Sequence, residues 1–534
     1  MRCEPKAVVF ALAAIAGMYA SRLALPSDAF KPVKLHASQS PGPSASSRGS
    51  NAPSPRLELV TPVSTVDEGK CAVGTVDSLT WPYNVSAVSE VLSHNEAWRR
   101  RVNRIARRSV VAVIDTGIEP LDVDITEAGP DSSSESLTAA RPPRRLLPFV
   151  NTHDIGTRIQ TSEPPYYHLE YKEHFWHGNH VAGLVVGGLG ASSEAIRLTE
   201  QVRPLIQLRF FNVVSGGACN CQKSDFSITA HNLAAALNSA RADVVDLSVE
   251  TSHPLPELRT AIEHAAGNSI IVAASGNGGL LMTQGKERYP GSYVVSFAQA
   301  IINVAAHDSA NRLPRFSNVS GESVDIAAPG CRIDSLGPGG GRRSSTGTSM
   351  AAPLVSFTSA LLRADGLENV DIKRRIVATV DIDDTEQERA CEDLQESDPR
   401  TWPYSCLRFH GRLNIPRALD VNRDVIERRA PDGTITILRG WIVNDDIDVD
   451  KRAENLRDLV RVVPLVLNAD GTYSVSLYRR QGELLTPRRA RTTSDSLSIK
   501  QTPGGPVETV PLRELSSVTF AFGPYRDELQ RRYR

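Results

Sequence analysis

Ser109-Val110-Val111-Ala112-Val113-Ile114-Asp115-Thr116-Gly117 decides how the fold is read, because five apolar residues run without a polar break into an aspartate and a turn. A strand apolar on both faces has to be covered on both, which is the condition of a parallel sheet between layers of helices. Leu205 to Val214, Val244 to Val249, Ile270 to Ala274 and Ile301 to Ala305 repeat the pattern. Between them the period changes to that of helices: Leu233, Leu237 and Ala240 mark one apolar face, and Leu258, Ile262 and Ala265 mark another that Gly267 closes. This alternation predicts an α/β fold, an open parallel sheet with helices on both faces, spanning residues 109–425. Thr126 to Arg145, rich in Ser, Pro and Arg, reads as a surface loop inserted into it.

The flanks read differently. From residue 426 to 534, short alternating stretches such as Thr434 to Leu438, Tyr473 to Leu477 and Val518 to Phe522 recur between Gly and Pro turns. They predict a smaller, mostly β C-terminal module with one helical patch near Arg452 to Leu459. At the other end, Arg2 and Lys6 precede an apolar run from Ala7 to Ala20, the pattern of an export signal over residues 1–24. The run falls short of the roughly 20 apolar residues of a spanning helix, so a membrane anchor is the lesser alternative. An exported protein, extracellular or periplasmic and not inserted in a membrane after signal removal, is expected. Residues 25–56 are too poor in apolar periodicity to offset the entropy of ordering and read as a Ser/Pro-rich linker. In the N-terminal segment 57–108, the clusters Arg99 to Arg101 and Arg107 to Arg108 read as a solvated helix face in preference to processing sites.

Acidic and basic residues nearly cancel, 61 against 60, so no global field draws the chain to nucleic acid or an anionic membrane. Removing Cys3 with the signal leaves six cysteines, an even number that permits disulfides in an exported protein. Cys391 and Cys406, flanking a short polar segment, are the preferred pair. Cys219 and Cys221 have half the spacing of a metal site, but no second pair or nearby histidine completes it.

Three stretches carry candidate chemistry. Asp115 ends a buried strand, where an open parallel sheet exposes functional side chains, although aspartate also ends strands simply by bonding nearby backbone. His177 opens His-Gly-Asn-His-Val-Ala-Gly-Leu-Val-Val-Gly, which reads as a tightly packed helix with the imidazole near its start. His180, three residues on, raises a metal-binding alternative, but no Glu stands where a His-Glu-x-x-His zinc helix needs one. Ser349 lies in Gly347-Thr348-Ser349-Met350-Ala351-Ala352-Pro353, at the start of a helix whose positive end faces it and whose first turn accommodates Pro353. An ordinary N-cap role explains the serine but not the small residues packed around it.

Together the three stretches resemble the subtilisin-like serine protease family, whose Asp-Thr-Gly, His-Gly-x-His-Val-Ala-Gly and Gly-Thr-Ser-Met-Ala-x-Pro motifs stand here in the family's order. The resemblance runs from about Ser109 to Leu419 and includes Ala327-Ala328-Pro329-Gly330 and Gly411-Arg412-Leu413-Asn414. It implies a secreted serine endopeptidase with Asp115, His177 and Ser349 as its triad, acting on protein or peptide substrates with no cofactor required for chemistry. Ala273-Ala274-Ser275-Gly276-Asn277 matches the segment that supplies an oxyanion-stabilising amide, here Asn277. Ser248, Val249, Glu250, Ser275 and Gly276 take the positions that bind substrate. Family members often bind structural calcium, but no dense carboxylate loop establishes a site here. Asn179 replaces a usual threonine. Glu250 stands near a usual glycine, and its carboxylate implies either a preference for basic substrate residues, the favoured expectation, or an obstruction. A silent binding domain would not need all four catalytic positions, and an α/β-hydrolase would need Gly-x-Ser-x-Gly and the order Ser, Asp, His.

Overall fold

The computed structural model describes residues 61–62, 71–72, 81–101, 107–116, 150–154, 172–188, 193–216, 226–337, 341–382, 391, 401–480 and 488–533. The expected signal, the linker, the Thr126 to Arg145 insertion, Cys219 and Cys221 lie outside the described residues.

The buried apolar runs become strands of a nine-stranded sheet: β1 (Ser109–Asp115), β2 (Val150–Asp154), β3 (Ile206–Asn212), β4 (Val244–Leu247), β5 (Ile270–Ala274), β6 (Ile301–His307), β7 (Ile326–Pro329), β8 (Asp381–Ile382) and β9 (Gly411–Arg412). Their order is β8-β9-β7-β6-β5-β4-β1-β3-β2, parallel throughout except for the β8 and β9 edge pair. Two runs that the sequence joins are divided. Leu205 to Val214 breaks at Val213, and Val244 to Val249 breaks at Ser248 before a separate two-residue strand, Val249–Glu250.

The two-residue period of the strands assigns each side chain to one of two cores. Val111 and Val113 face α2 (Lys172–Val185) and α6 (Thr348–Ala364), in a core shared with α1 (Val85–Arg101) and α7 (Asn369–Ala378). Ala112 and Ile114 face the other way, against Leu233 and Leu237 of α4 (Ala230–Ala240) and Leu258 and Ile262 of α5 (Pro256–Ala266). Gly267 caps α5 in a right-handed conformation, φ −66°, so no left-handed turn requires a glycine there.

The expected exposure to solvent holds for Arg100, Arg107 and Arg108 and fails at Arg99. Arg99 is 6% exposed and ion-pairs with the buried Asp365, and Arg107 reaches Asp243 at 3.0 Å. Val88, Val91, Leu92 and Trp98 seat α1 in the core, which draws Arg99 inward, while Arg100 stays in solvent.

The C-terminal module is an eight-stranded, wholly antiparallel sheet. The expected helical patch near Arg452 to Leu459 is instead strand Arg452–Asn455, a 3-10 turn Leu456–Asp458 and the start of strand Leu459–Leu467. Leu456 and Leu459 both enter the module's core, and the β-branched run that follows favours extended backbone. A helix absent from the sequence reading, Gly523–Tyr533, closes the chain: Arg526 grips Asp424 at 2.6 and 2.7 Å, and the Tyr525 hydroxyl donates to the Asp365 carbonyl at 3.0 Å. Arg461 ties the module to the end of α7, donating to the carbonyls of Ala378 and Val380 at 3.1 and 2.7 Å.

Among the described residues there are two disulfides, the expected Cys391–Cys406 and a second, Cys71–Cys331, that spans 260 residues. Beneath the sheet, the fully buried Lys373 donates to the Ile301 carbonyl and to Asp325 Oδ2, the latter at 2.9 Å. Burial pushes the lysine pKa down and Asp325 pulls it back up. Lys373→Met leaves the buried Asp325 with only the more distant Arg408, at 3.9 Å, as counter-charge, so a loss of about 3 kcal/mol is expected in denaturant unfolding. A loss within about 0.5 kcal/mol, the range of an ordinary surface substitution, would contradict this role.

Candidate active site

The carboxyl ends of β1, β4 and β5 converge on one rim, and each delivers a polar group there. Asp115, last residue of β1, is fully buried; its Oδ1 accepts the Thr116 N–H at 2.6 Å. His177 Nδ1 lies 2.8 Å from Oδ1 and 3.0 Å from Oδ2 of that carboxylate. An ionised carboxylate only accepts, so Nδ1 carries the proton and Nε2 presents a lone pair. His177 Nε2 has no hydrogen-bond partner among the described residues.

His177 is not at a helix start as expected, since α2 begins five residues earlier at Lys172. Its position is fixed by packing: the Trp176 ring stands edge-on 5.5 Å from the imidazole and is covered by Arg343 at 4.0 Å. His180 does not join it at a metal. Its Nε2 donates to the carbonyls of Ile333 and Arg343 at 2.9 and 3.0 Å, and burial holds its pKa down at about 3. Among the described residues no group of three or more His, Cys, Asp or Glu side chains is placed to hold a metal ion.

Ser349 is the second residue of α6, and Gly347 occupies the N-cap. Pro353 stands sixth in the helix, beyond the first turn to which the sequence assigns it. Its missing N–H would otherwise bond the Ser349 carbonyl four residues back. Ser248 Oγ takes that place, 3.3 Å from Ser349 O, and Ser349 Oγ donates in return to Ser248 O at 3.3 Å. The proline thus explains why the serine's backbone bonds the end of β4 and not its own helix.

Asn277 follows β5 on the Ser275-Gly276 turn. Thr348 N and Oγ1 both donate to Asn277 Oδ1, at 2.9 and 3.0 Å, which fixes the direction of the amide; Thr348 Oγ1 in turn accepts the Gly276 N–H at 3.1 Å. Gly347 adopts φ +156°, and a Cβ there would stand 2.7 Å from Asn277 Nδ2. Ser275 Oγ donates to Asn318 O at 2.9 Å and Asn318 Nδ2 to Ser275 O at 2.8 Å, so this turn is rigid.

Val249–Glu250, the expected substrate-binding edge, pairs antiparallel with Thr61–Pro62 of the same chain. Burial raises the Glu250 pKa, while Arg288 lowers it.

One participant was missed from sequence. Asp246, fully buried in β4, accepts Ser356 Oγ at 2.6 Å and Ser248 Oγ at 3.1 Å, so it sets the hydroxyl that also meets Ser349 O. A charge within the apolar run Val244 to Val249 was the available signal. Desolvation is the main reason its pKa rises to about 7; the two serines lower it and Asp115 raises it further. An unfolded aspartate releases its proton near pH 4, so between about pH 4 and 7 the folded chain binds the extra proton. Stability from this group therefore falls as pH rises through that window and stays low above it. Asp246→Asn keeps the acceptor and removes the titration, and it is expected to gain up to about 4 kcal/mol at pH 8 relative to pH 4. Urea unfolding at the two pH values reads this out; equal changes at both would assign the proton elsewhere.

The family model described as the subtilase family matches residues 106–398. The thermophilic serine proteinase of Bacillus sp. (strain AK1) is 32% identical over 206 residues, 38% of this chain and 47% of that one. The major intracellular serine protease of Bacillus subtilis (strain 168) is 32% identical over 194 residues, 35% of this chain and 55% of its own length. The chain thus spans about half the length of these curated relatives. Among solved structures, the S218A mutant of the protease domain of PatA is 21% identical at a TM-score of 0.39, covering 59% of this chain and 94% of that one.

Proposed function

The chain belongs to the subtilase family, and on that premise we propose that it is a serine endopeptidase that hydrolyses peptide bonds through an acyl-enzyme. The observation that carries the proposal is the pairing of His177 Nδ1 with the buried Asp115 carboxylate, which leaves Nε2, without a partner among the described residues, as a base for Ser349 in the first turn of α6. In this reading Ser349 turns about χ1 from the Ser248 carbonyl toward His177 Nε2 and attacks the peptide carbonyl as the imidazole takes its proton. Asp115 stabilises the imidazolium, and Asn277 Nδ2 donates to the oxyanion. His177 then protonates the leaving amine, and water releases the acyl group by the reverse sequence. None of these steps needs a cofactor.

Substrate would pair as an extended strand with Val249–Glu250, displacing Thr61–Pro62. Two disulfides suit an oxidising compartment and support export. Among the described residues no helix is long and apolar enough to cross a membrane.

A fluorophosphonate probe tests the proposal: labelling of one serine, mapped to Ser349 and lost on denaturation, is the expected result. A native protein that leaves the probe unreacted and an unfolded protein substrate uncut would refute it.

A further inference from the structure

The edge that would receive substrate carries a feature that the peptidase reading does not use. On the peptidase reading, a peptide carbonyl held between Ser349 Oγ and Asn277 Nδ2, on a chain extended along Val249–Glu250, would bring its own residue beside the Ser275-Gly276 turn, which immediately precedes Asn277 and faces Glu250. Thr61–Pro62, paired to Val249–Glu250 in antiparallel register, is direct evidence that the edge accepts an extended segment. The space beside it is already filled. Glu250 Oε2 lies so close over Gly276 that a Cβ built on that glycine would stand 2.1 Å from it, with Asn318 Nδ2 at 2.4 Å on the other flank.

The floor is also defined. Thr251 and Tyr289 exchange backbone hydrogen bonds at 2.8 and 2.9 Å, which carries Arg288 in beneath Glu250. Arg288 Nε lies 3.9 Å from Glu250 Oε2, and that oxygen, shielded from water, makes no hydrogen bond among the described residues. The expectation that Glu250 attracts basic substrate residues requires an unopposed anion, and Arg288 opposes it.

We propose that Glu250 is a specificity-determining residue: its side chain occupies the slot for the residue whose carbonyl is attacked and restricts that residue to glycine or alanine, while Arg288 waits beneath as a masked cation. Removing Glu250 then both enlarges the slot and unmasks positive charge, so the preference moves specifically to acidic side chains. A simple cavity would favour large apolar ones instead.

The inference rests on the peptidase reading, and the experiment separates the two. Peptides identical except for Gly, Ala, Phe, Lys or Glu at the attacked residue are compared by kcat/KM with wild type, Glu250→Ala and Glu250→Ala/Arg288→Ala. Fluorophosphonate labelling of Ser349 and thermal unfolding are followed for each variant. Wild type is expected to favour Gly and Ala over the other three by at least about 10-fold, the lower end of what a pocket contact decides. Glu250→Ala should raise Glu relative to Ala by at least about 10-fold, and the double variant should lose that gain. Wild type that is labelled yet cleaves after Phe or Lys as fast as after Ala, or cleaves after none, overturns the inference and leaves the nucleophile assigned. A folded Glu250→Ala variant with unchanged preference overturns it as well. Absence of both labelling and cleavage in wild type overturns the proposed function itself.

Discussion

Ser349→Ala is expected to lower kcat by about 10⁶-fold, the size of loss that follows removal of the serine from a related triad. The change removes one oxygen whose only described hydrogen bond is to the Ser248 carbonyl at 3.3 Å, so little stability goes with it. The helix start survives because Gly347, not Ser349, is the cap, and Thr348 still holds Asn277 through two hydrogen bonds. The variant therefore keeps the oxyanion amide and the substrate edge while losing the covalent path. A residual rate about 10³ to 10⁴ times that in water is what those remaining groups sustain. The measurement is hydrolysis of an unfolded protein by wild type and variant purified in parallel, with unfolding midpoints to confirm equal folding. Equal proteolysis by both would place the activity in another protein or another residue. Because the comparison holds binding groups constant, unchanged KM with collapsed kcat would mark Ser349 as acting on the reaction and not on substrate capture.

How much of this was visible in the sequence follows from what kind of interaction fixes each element. β1, β5 and β6 are apolar on both faces because both faces are covered, and their runs stand out without any partner being known. Asp115 and Ser349 stood out as candidates for a related reason, since each sits at the end of a buried element, whereas His177 lies inside α2 and was marked only by its motif. Arg99 was misread because its pattern is that of a surface cluster, and only its pairing with Asp365, 266 residues away, removes it from water. The Arg452 to Leu459 stretch was misread because local helical spacing competed with β pairing that depends on distant strands. The Cys71–Cys331 bridge was open for the same reason, since cysteine spacing does not encode which pair meets across 260 residues. Pro353 was placed in the wrong turn of α6, yet its consequence, the exchange of bonds between Ser248 and Ser349, is what docks the candidate nucleophile onto β4.

Asp115→Asn is expected to lower kcat by about 10⁴-fold, the effect of the equivalent change in another peptidase with this triad, although the substitution is nearly isosteric. The reason lies in three hydrogen bonds. Thr116 N–H, 2.6 Å from Oδ1, needs an acceptor, so the amide oxygen of the asparagine stays on that side. The amide nitrogen then falls at the position of Oδ2, 3.0 Å from His177 Nδ1. Nδ1 keeps the amide oxygen at the Oδ1 position, 2.8 Å away, but now also faces a donor, so the Nε2–H tautomer, which accepts from that amide at Nδ1, competes with the one the carboxylate imposes. Nε2, the one ring atom without a hydrogen-bond partner among the described residues, would then carry a proton where the reaction needs a lone pair. Folding should be little affected because the Thr116 N–H and His177 Nδ1 each keep a hydrogen-bond partner. Nitrogen NMR of the imidazole distinguishes this from a loose site: the Nδ1–H tautomer in wild type and the Nε2–H tautomer in the variant are the expected spectra. A variant that retained the Nδ1–H tautomer together with wild-type turnover would remove Asp115 from the proposed mechanism. Loss of turnover without the tautomer change would instead leave Asp115 acting through its charge on the imidazolium alone.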